Sequence, residues 1–269
     1  MLGFAETFGA TVASFVLPAI VALVIISVAA RFLRARYLAA FAIGIYFWFF
    51  SDTIGDANVL GANEGFAGGF FHIALWIAFA VGLVLFLTID RDLFTPGPEG
   101  VKFGFAIPLL VALAVGIHGL GEGAAIGATA VTTPAGSLID AFGGSSAAVA
   151  FVVHKALEPM MVGAAYWIYA KDHAKDMAGR VRDIVLLALV FTIPGIIGGG
   201  SGYYIVQAFP NVDFTYVFAF GLGTSLYAAV RLARALFDGA ATSRYESTKV
   251  AILILLGFTC LYLAAMLHS

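Results

Sequence analysis

Ile20-Val21-Ala22-Leu23-Val24-Ile25-Ile26 is an unbroken apolar run. A strand of an outer-membrane barrel would alternate apolar and polar side chains over roughly ten residues, and this run does not alternate, so it reads as helix. Followed outward to the nearest charges and Gly/Pro clusters, it becomes a segment over 8–33. That exceeds the about 20 apolar residues that carry a helix across a bilayer. The same reading along the chain gives seven further segments: 37–60, 66–89, 103–132, 141–170, 181–208, 213–237 and 247–268. The expected fold class is an all-α integral membrane protein with eight transmembrane helices.

Composition points the same way. Of 269 residues, 62% are hydrophobic and 11% charged, whereas a soluble domain carries roughly 25% charged residues. With so few ionised side chains the chain cannot clothe a water-facing surface, and its solvent is the lipid bilayer. The net charge of −2 gives no reason to expect nucleic acid as a partner. Cys260 is the one cysteine, so no internal disulfide or cysteine cluster can form. No basic stretch precedes the first apolar run, which is therefore expected to remain as a span rather than act as a cleaved leader. The connectors around 90–102 and 171–183 are too short for a soluble domain. Residues 1–269 read as a single transmembrane domain whose chemistry lies within the spans or at their ends.

Basic residues orient the bundle, because Lys and Arg accumulate in cytoplasmic loops. Arg31, Arg34 and Arg36 fall between spans 1 and 2, Arg91 and Lys102 between 3 and 4, Lys171, Lys175, Arg180 and Arg182 between 5 and 6, and Arg231, Arg234, Arg244 and Lys249 between 7 and 8. All but one of the 14 basic residues thus share one side. The opposite side holds Glu6, Asp52, Asp56, Glu64, Asp140 and Asp213. Both termini are expected to be extracytoplasmic, in a multi-pass protein of the cell membrane.

Once the loop charges are assigned, Glu122, Lys155 and Glu158 remain within spans 4 and 5. A charge near the bilayer centre costs at least ~2.5 kcal/mol, which makes each one a candidate for function. Two histidines accompany them, in HGLGEG (118–123) and HKALEP (154–159). Both segments read His-x-x-x-Glu, and four helical residues advance about 400°, so each pair shares one helix face. The short connection 133–140 supports spans 4 and 5 as antiparallel neighbours, an arrangement expected to put His118, Glu122, His154 and Glu158 at similar depth. Two neutral imidazoles and two carboxylates carry −2, which a divalent ion neutralises. Mixed nitrogen and oxygen ligands suit Zn²⁺, and also Fe²⁺, Mn²⁺, Co²⁺ or Cd²⁺, better than Mg²⁺ or Ca²⁺. A single buried His or Glu can equally be a helix–helix hydrogen bond, but packing alone gives no reason for the repeated spacing. Gly119, Gly121 and Gly123 around the first pair allow either close helix approach or local loosening, and Pro159 removes the hydrogen bond the Lys155 carbonyl would accept.

The segments HGLGEGAAIG (118–127) and HKALEPMMVG (154–163) resemble the span 4 and span 5 signatures of the ZIP (Zrt/Irt-like) divalent metal transporters, and GLVLFLTIDRDL (82–93) is similar to the end of their span 3. The resemblance implies a 3+2+3 bundle in which spans 1–3 and 6–8 form an inverted repeat around spans 4 and 5. It also implies import of a transition metal, zinc first, through His118, Glu122, His154 and Glu158. A homodimer is one arrangement open to such a chain. The departures are informative. Gly119 stands where many members carry Asn, Asp or Ser, and Lys155 stands where binuclear members carry an acid. Span 6 has no carboxylate beyond Asp183, so a second metal site looks absent, with the Lys155 ammonium in its place. The proline usual before the span 5 Glu is displaced to Pro159, the glycine that follows is lost, and 90–102 contains no histidine.

Weaker candidates complete the reading. Asp52 and Asp56, four apart at the outer end of span 2, could meet an incoming ion or be ordinary helix-end carboxylates; His173, near Asp172 and Asp176, could aid inner release or be a solvated connector residue. His72 and His268 read as interfacial. Two other classes compete with a non-enzymatic transporter. An intramembrane metalloenzyme would need a general base beside an open metal position, and the His-Glu-x-x-His arrangement is missing. A bis-His haem protein could use His118 and His154, against which the paired glutamates argue.

Overall fold

The structure is a computed structural model that describes residues 2–56, 70–90, 104–133, 139, 144–237 and 244–266. Among the described residues it contains eight long helices: α1 (Phe4–Ala29), α2 (Ala35–Asp56), α3 (Phe70–Ile89), α4 (Ala106–Thr132), α5 (Ser145–Asp172), α6 (Met177–Ala208), α7 (Thr215–Phe237) and α8 (Arg244–Ala265). No strand occurs among the described residues. Six helices, α1 and α4 to α8, are long and apolar enough to cross a bilayer, while α2 and α3 contribute the shorter apolar stretches Ala35–Ser51 and Ile73–Ile89. Large apolar side chains point away from the bundle, among them Val24 (57% exposed), Trp76 (58%) and Leu255 (64%). Charged and hydroxyl side chains, Lys155, Glu158, Thr192 and Thr224, lie inside. This polarity is that of a chain solvated by lipid, and the protein is a multi-pass membrane protein.

Helix ends shift from the hydropathy boundaries where polar caps decide them. The Gly3 amide donates to the Glu6 carboxylate at 3.1 Å, which starts α1 at Phe4 rather than near residue 8. Asp176 accepts from the Gly179 amide at 2.9 Å and starts α6 at Met177 rather than near 181. Arg180 and Arg182 accordingly belong to the first turns of a helix, not to a connector.

Glycine sets how closely the helices approach. α4 packs most extensively against α6, and a Cβ on Gly123 would lie 2.0 Å from the Gly195 carbonyl oxygen, one on Gly127 2.3 Å from that of Gly199, and one on Gly198 2.2 Å from that of Leu120. Such stripes of small residues let backbones meet where lipid offers no hydrophobic drive. Reciprocal pairs join two other couples of helices. In α2 and α8, Gly44 abuts the Ile254 carbonyl and Gly257 that of Phe41; in α3 and α7, Gly82 abuts the Phe220 carbonyl and Gly223 that of Phe79. In every case the glycine and the carbonyl flanking its partner glycine are three residues apart along the chain.

The structure corrects the inventory of charges inside the bundle. Arg231 lies within α7 and is 1% exposed; its Nε is 3.0 Å from an Asp90 oxygen, onto which the Tyr227 hydroxyl also donates at 2.7 Å. Asp183, 4% exposed, pairs with Lys175. These groups read as loop charges by position. They are buried because each has a partner, the condition under which a desolvated charge is tolerated.

Candidate metal centre

α4 and α5 present their two His-x-x-x-Glu pairs toward one another in the middle of the bundle. Within α4, His118 Nε2 lies 3.7 Å from Glu122 Oε1; within α5, His154 Nε2 lies 3.6 Å from Glu158 Oε1. Helical geometry places residues four apart on one face, and antiparallel packing of the two helices brings the faces together. Ligand atoms of Glu122, His154 and Glu158 all lie within 4.8 Å of one another, close enough to share one ion. His118 stands outside that group. Its ring packs edge-on against Phe49 at 4.5 Å and Phe218 at 5.9 Å, and its backbone is held by α7, where a Cβ on Gly221 would lie 2.6 Å from the His118 Cα.

Lys155 joins the two acids. Fully buried, it donates to Glu122 Oε2 and, at 2.8 Å, to Glu158 Oε2. Aromatic faces line its other sides, with the Phe15 centroid 4.7 Å and the Phe191 centroid 5.9 Å from Nζ. A Cβ at Gly119 would sit 3.0 Å from the Phe15 ring and in ordinary contact with Nζ at 3.8 Å, so the missing side chain there makes room for the aromatic neighbour of the ammonium. Two further glycines have a packing role. A Cβ at Gly121 would meet the Phe218 ring at 3.2 Å, Gly123 faces α6, and α4 runs unbroken through all three. Likewise α5 continues through Pro159.

Buried polar atoms are almost always hydrogen-bonded. Glu158 Oε1 and His118 Nδ1 are buried with no hydrogen-bond partner among the described residues. An acceptor in that condition, beside an imidazole and a second carboxylate, suits a cation. Nothing in the sequence foretold Phe15, Phe49 or Phe191 at the site, since an aromatic residue in an apolar span carries no mark of its neighbours.

The outlying candidates fall elsewhere. His173 ends α5, where its Nδ1 is 2.9 Å from the Tyr169 carbonyl and its ring stacks on Tyr169 at 4.4 Å. The side chains of Asp52, Asp56 and His72 lie outside the described residues, as does His268. Nearby in the connector between α5 and α6, hydrogen bonding to Asp183 holds the Lys175 ammonium above its usual pKa. Compared with models of known families and with curated proteins, the chain matches none.

Proposed function

We propose that the protein carries a divalent transition metal ion across the membrane through the centre between α4 and α5, as its resemblance to the ZIP transporters implies. The observation that carries this reading is the convergence of Glu122, His154 and Glu158 ligand atoms within 4.8 Å inside an apolar bundle. In this reading His118 completes the set when its ring turns toward the ion. Zinc is the first expected cargo, because it accepts both imidazole and carboxylate; Fe²⁺, Mn²⁺, Co²⁺ and Cd²⁺ share that tolerance. Ligands of this kind release an ion more readily than thiolates, as transport requires. Lys155 takes the place of a second ion and competes with the cargo for the two carboxylates.

All eight helices span the bilayer in this account, with both termini outside and the basic ends of the bundle in the cytoplasm. The packing supports an inverted repeat of α1–α3 and α6–α8. Exchanging α2 with α7 and α3 with α8 carries the Gly44 and Gly257 contact onto that of Gly223 and Gly82, down to the phenylalanine carbonyls of 41 and 220. Such repeats rock against one another around a midplane site. Import would lead from Asp52 and Asp56 outside, through the centre, to His173 inside. The test is uptake of zinc into proteoliposomes. Wild type is expected to load the vesicles and Glu122→Ala and Glu158→Ala to lose uptake; wild-type flux in both variants would sink the assignment.

A further inference from the structure

At the basic end of the bundle, where α1, α5 and α6 meet, lies a cavity of about 600 Å³. That volume falls in the range of about 300–1,000 Å³ typical of sites for small organic ligands. Arg31, Lys171 and Arg180 line it, together with the Asp172 carboxylate and His173. The cations are held in distinct ways. Lys171 donates to the Leu33 carbonyl, which ties α5 to the turn after α1. The Arg180 guanidinium lies 5.5 Å from the centre of the Trp167 ring, and Trp167 in turn donates its indole N–H to Ser27 at 3.1 Å. This guanidinium lines the cavity while fixed against an aromatic face, and its planar fork of donors suits an anion of planar or tetrahedral oxygens.

The remaining wall is apolar and faces outward. Met177 is 72% exposed and Val181 49% exposed on the α6 flank, and both border the cavity. In a multi-pass membrane protein that flank meets acyl chains, so the cavity offers cations at the headgroup level and a greasy wall along the bilayer side. Basic pockets between membrane helices take anionic headgroups.

We propose that this cavity binds the phosphate of an anionic phospholipid, with Arg31, Lys171 and Arg180 on the headgroup and Val181 beside the acyl chain. A soluble phosphoanion would use the same cations but gain nothing from the apolar flank, which is why the lipid is favoured. Apart from His173, no residue of this site takes part in the metal reading, and the proposal stands or falls without it.

The test is native mass spectrometry of the full chain in an uncharged detergent, titrated with phosphatidylglycerol, phosphatidylcholine or inorganic phosphate. Phosphatidylglycerol should stay bound, and phosphatidylcholine should bind at least tenfold more weakly. Each basic side chain near the membrane surface adds to the affinity for an anionic lipid, so Arg31→Ala with Arg180→Ala should weaken phosphatidylglycerol by about tenfold or more. Arg182→Ala, exposed on the same helix but outside the cavity, should leave binding unchanged. Arg180→Lys should recover part of the affinity. Should the double variant fail to fold, Arg31→Ala alone, at an exposed position, must still weaken binding. Equal binding of both lipids, or full retention in the folded variants, would overturn the proposal, and saturation by inorganic phosphate alone would overturn the lipid as its source.

Discussion

Lys155→Met removes the ammonium at the centre while keeping an unbranched side chain of similar reach. Its Nζ lies 2.8 Å from Glu158 Oε2 and also bonds to Glu122. At an effective dielectric constant of about 20, one such contact is worth about 6 kcal/mol of attraction, much of which offsets desolvation of the buried lysine. Breaking a buried pair by removing one partner typically costs about 3–5 kcal/mol. The free variant should therefore be destabilised by that amount, with two carboxylates left facing each other. An incoming divalent ion no longer has to displace the ammonium, so the same energy reappears as affinity. Since about 1.4 kcal/mol is tenfold, zinc should bind Lys155→Met some two to three orders of magnitude more tightly. Calorimetric titration of zinc into the detergent-solubilised protein reads the change, and thermal unfolding should show a lower midpoint without metal and a larger rise on adding it. Turnover in proteoliposomes should fall, because release slows. Lys155→Arg should keep weaker, wild-type-like binding. If folded Lys155→Met bound zinc no more tightly than wild type, Lys155 would not compete with the ion and the reasoning would fail.

Other outcomes follow from packing and pairing. Gly123→Ala should lower the thermal midpoint strongly, since its Cβ would lie 2.0 Å from the Gly195 carbonyl oxygen and force α4 from α6 at a cost of at least about 1–3 kcal/mol. Gly9→Ala, with nothing within 4 Å of the added carbon, should be neutral or stabilise α1 by about 0.5–1 kcal/mol in the same melt. Arg231→Met should cost about 3–5 kcal/mol by removing the positive charge that faces the buried Asp90 carboxylate, and adding Asp90→Asn should restore much of it; additive losses in a double-mutant cycle would deny the pair.

The helices were legible because an apolar run of twenty or more residues needs no partner to declare itself. Their ends were less so. Asp176 moves the start of α6 by a full turn through one side-chain hydrogen bond that hydropathy cannot register. The ligand pairs could be read because His118 with Glu122, and His154 with Glu158, are local relations along one helix. The bond from Lys155 to Glu122 spans 33 residues and needed the packing of α4 on α5 to appear. The Tyr227 to Asp90 bond spans 137, and by position alone Arg231 passed for a loop charge. His118 shows the limit from the other side: its spacing matches that of His154, yet its ring, packed edge-on against Phe49 and Phe218, lies outside the three-ligand group.

The central claim is that Glu122, His154 and Glu158, with His118 turned in, hold one ion at a time beside Lys155. Anomalous diffraction at the zinc edge from metal-loaded crystals tests it most directly. One peak per chain between α4 and α5, within about 2.0–2.2 Å of carboxylate oxygen and imidazole nitrogen, is the expected result. Two ions at that depth, or none there with zinc bound only at the helix ends, would contradict it.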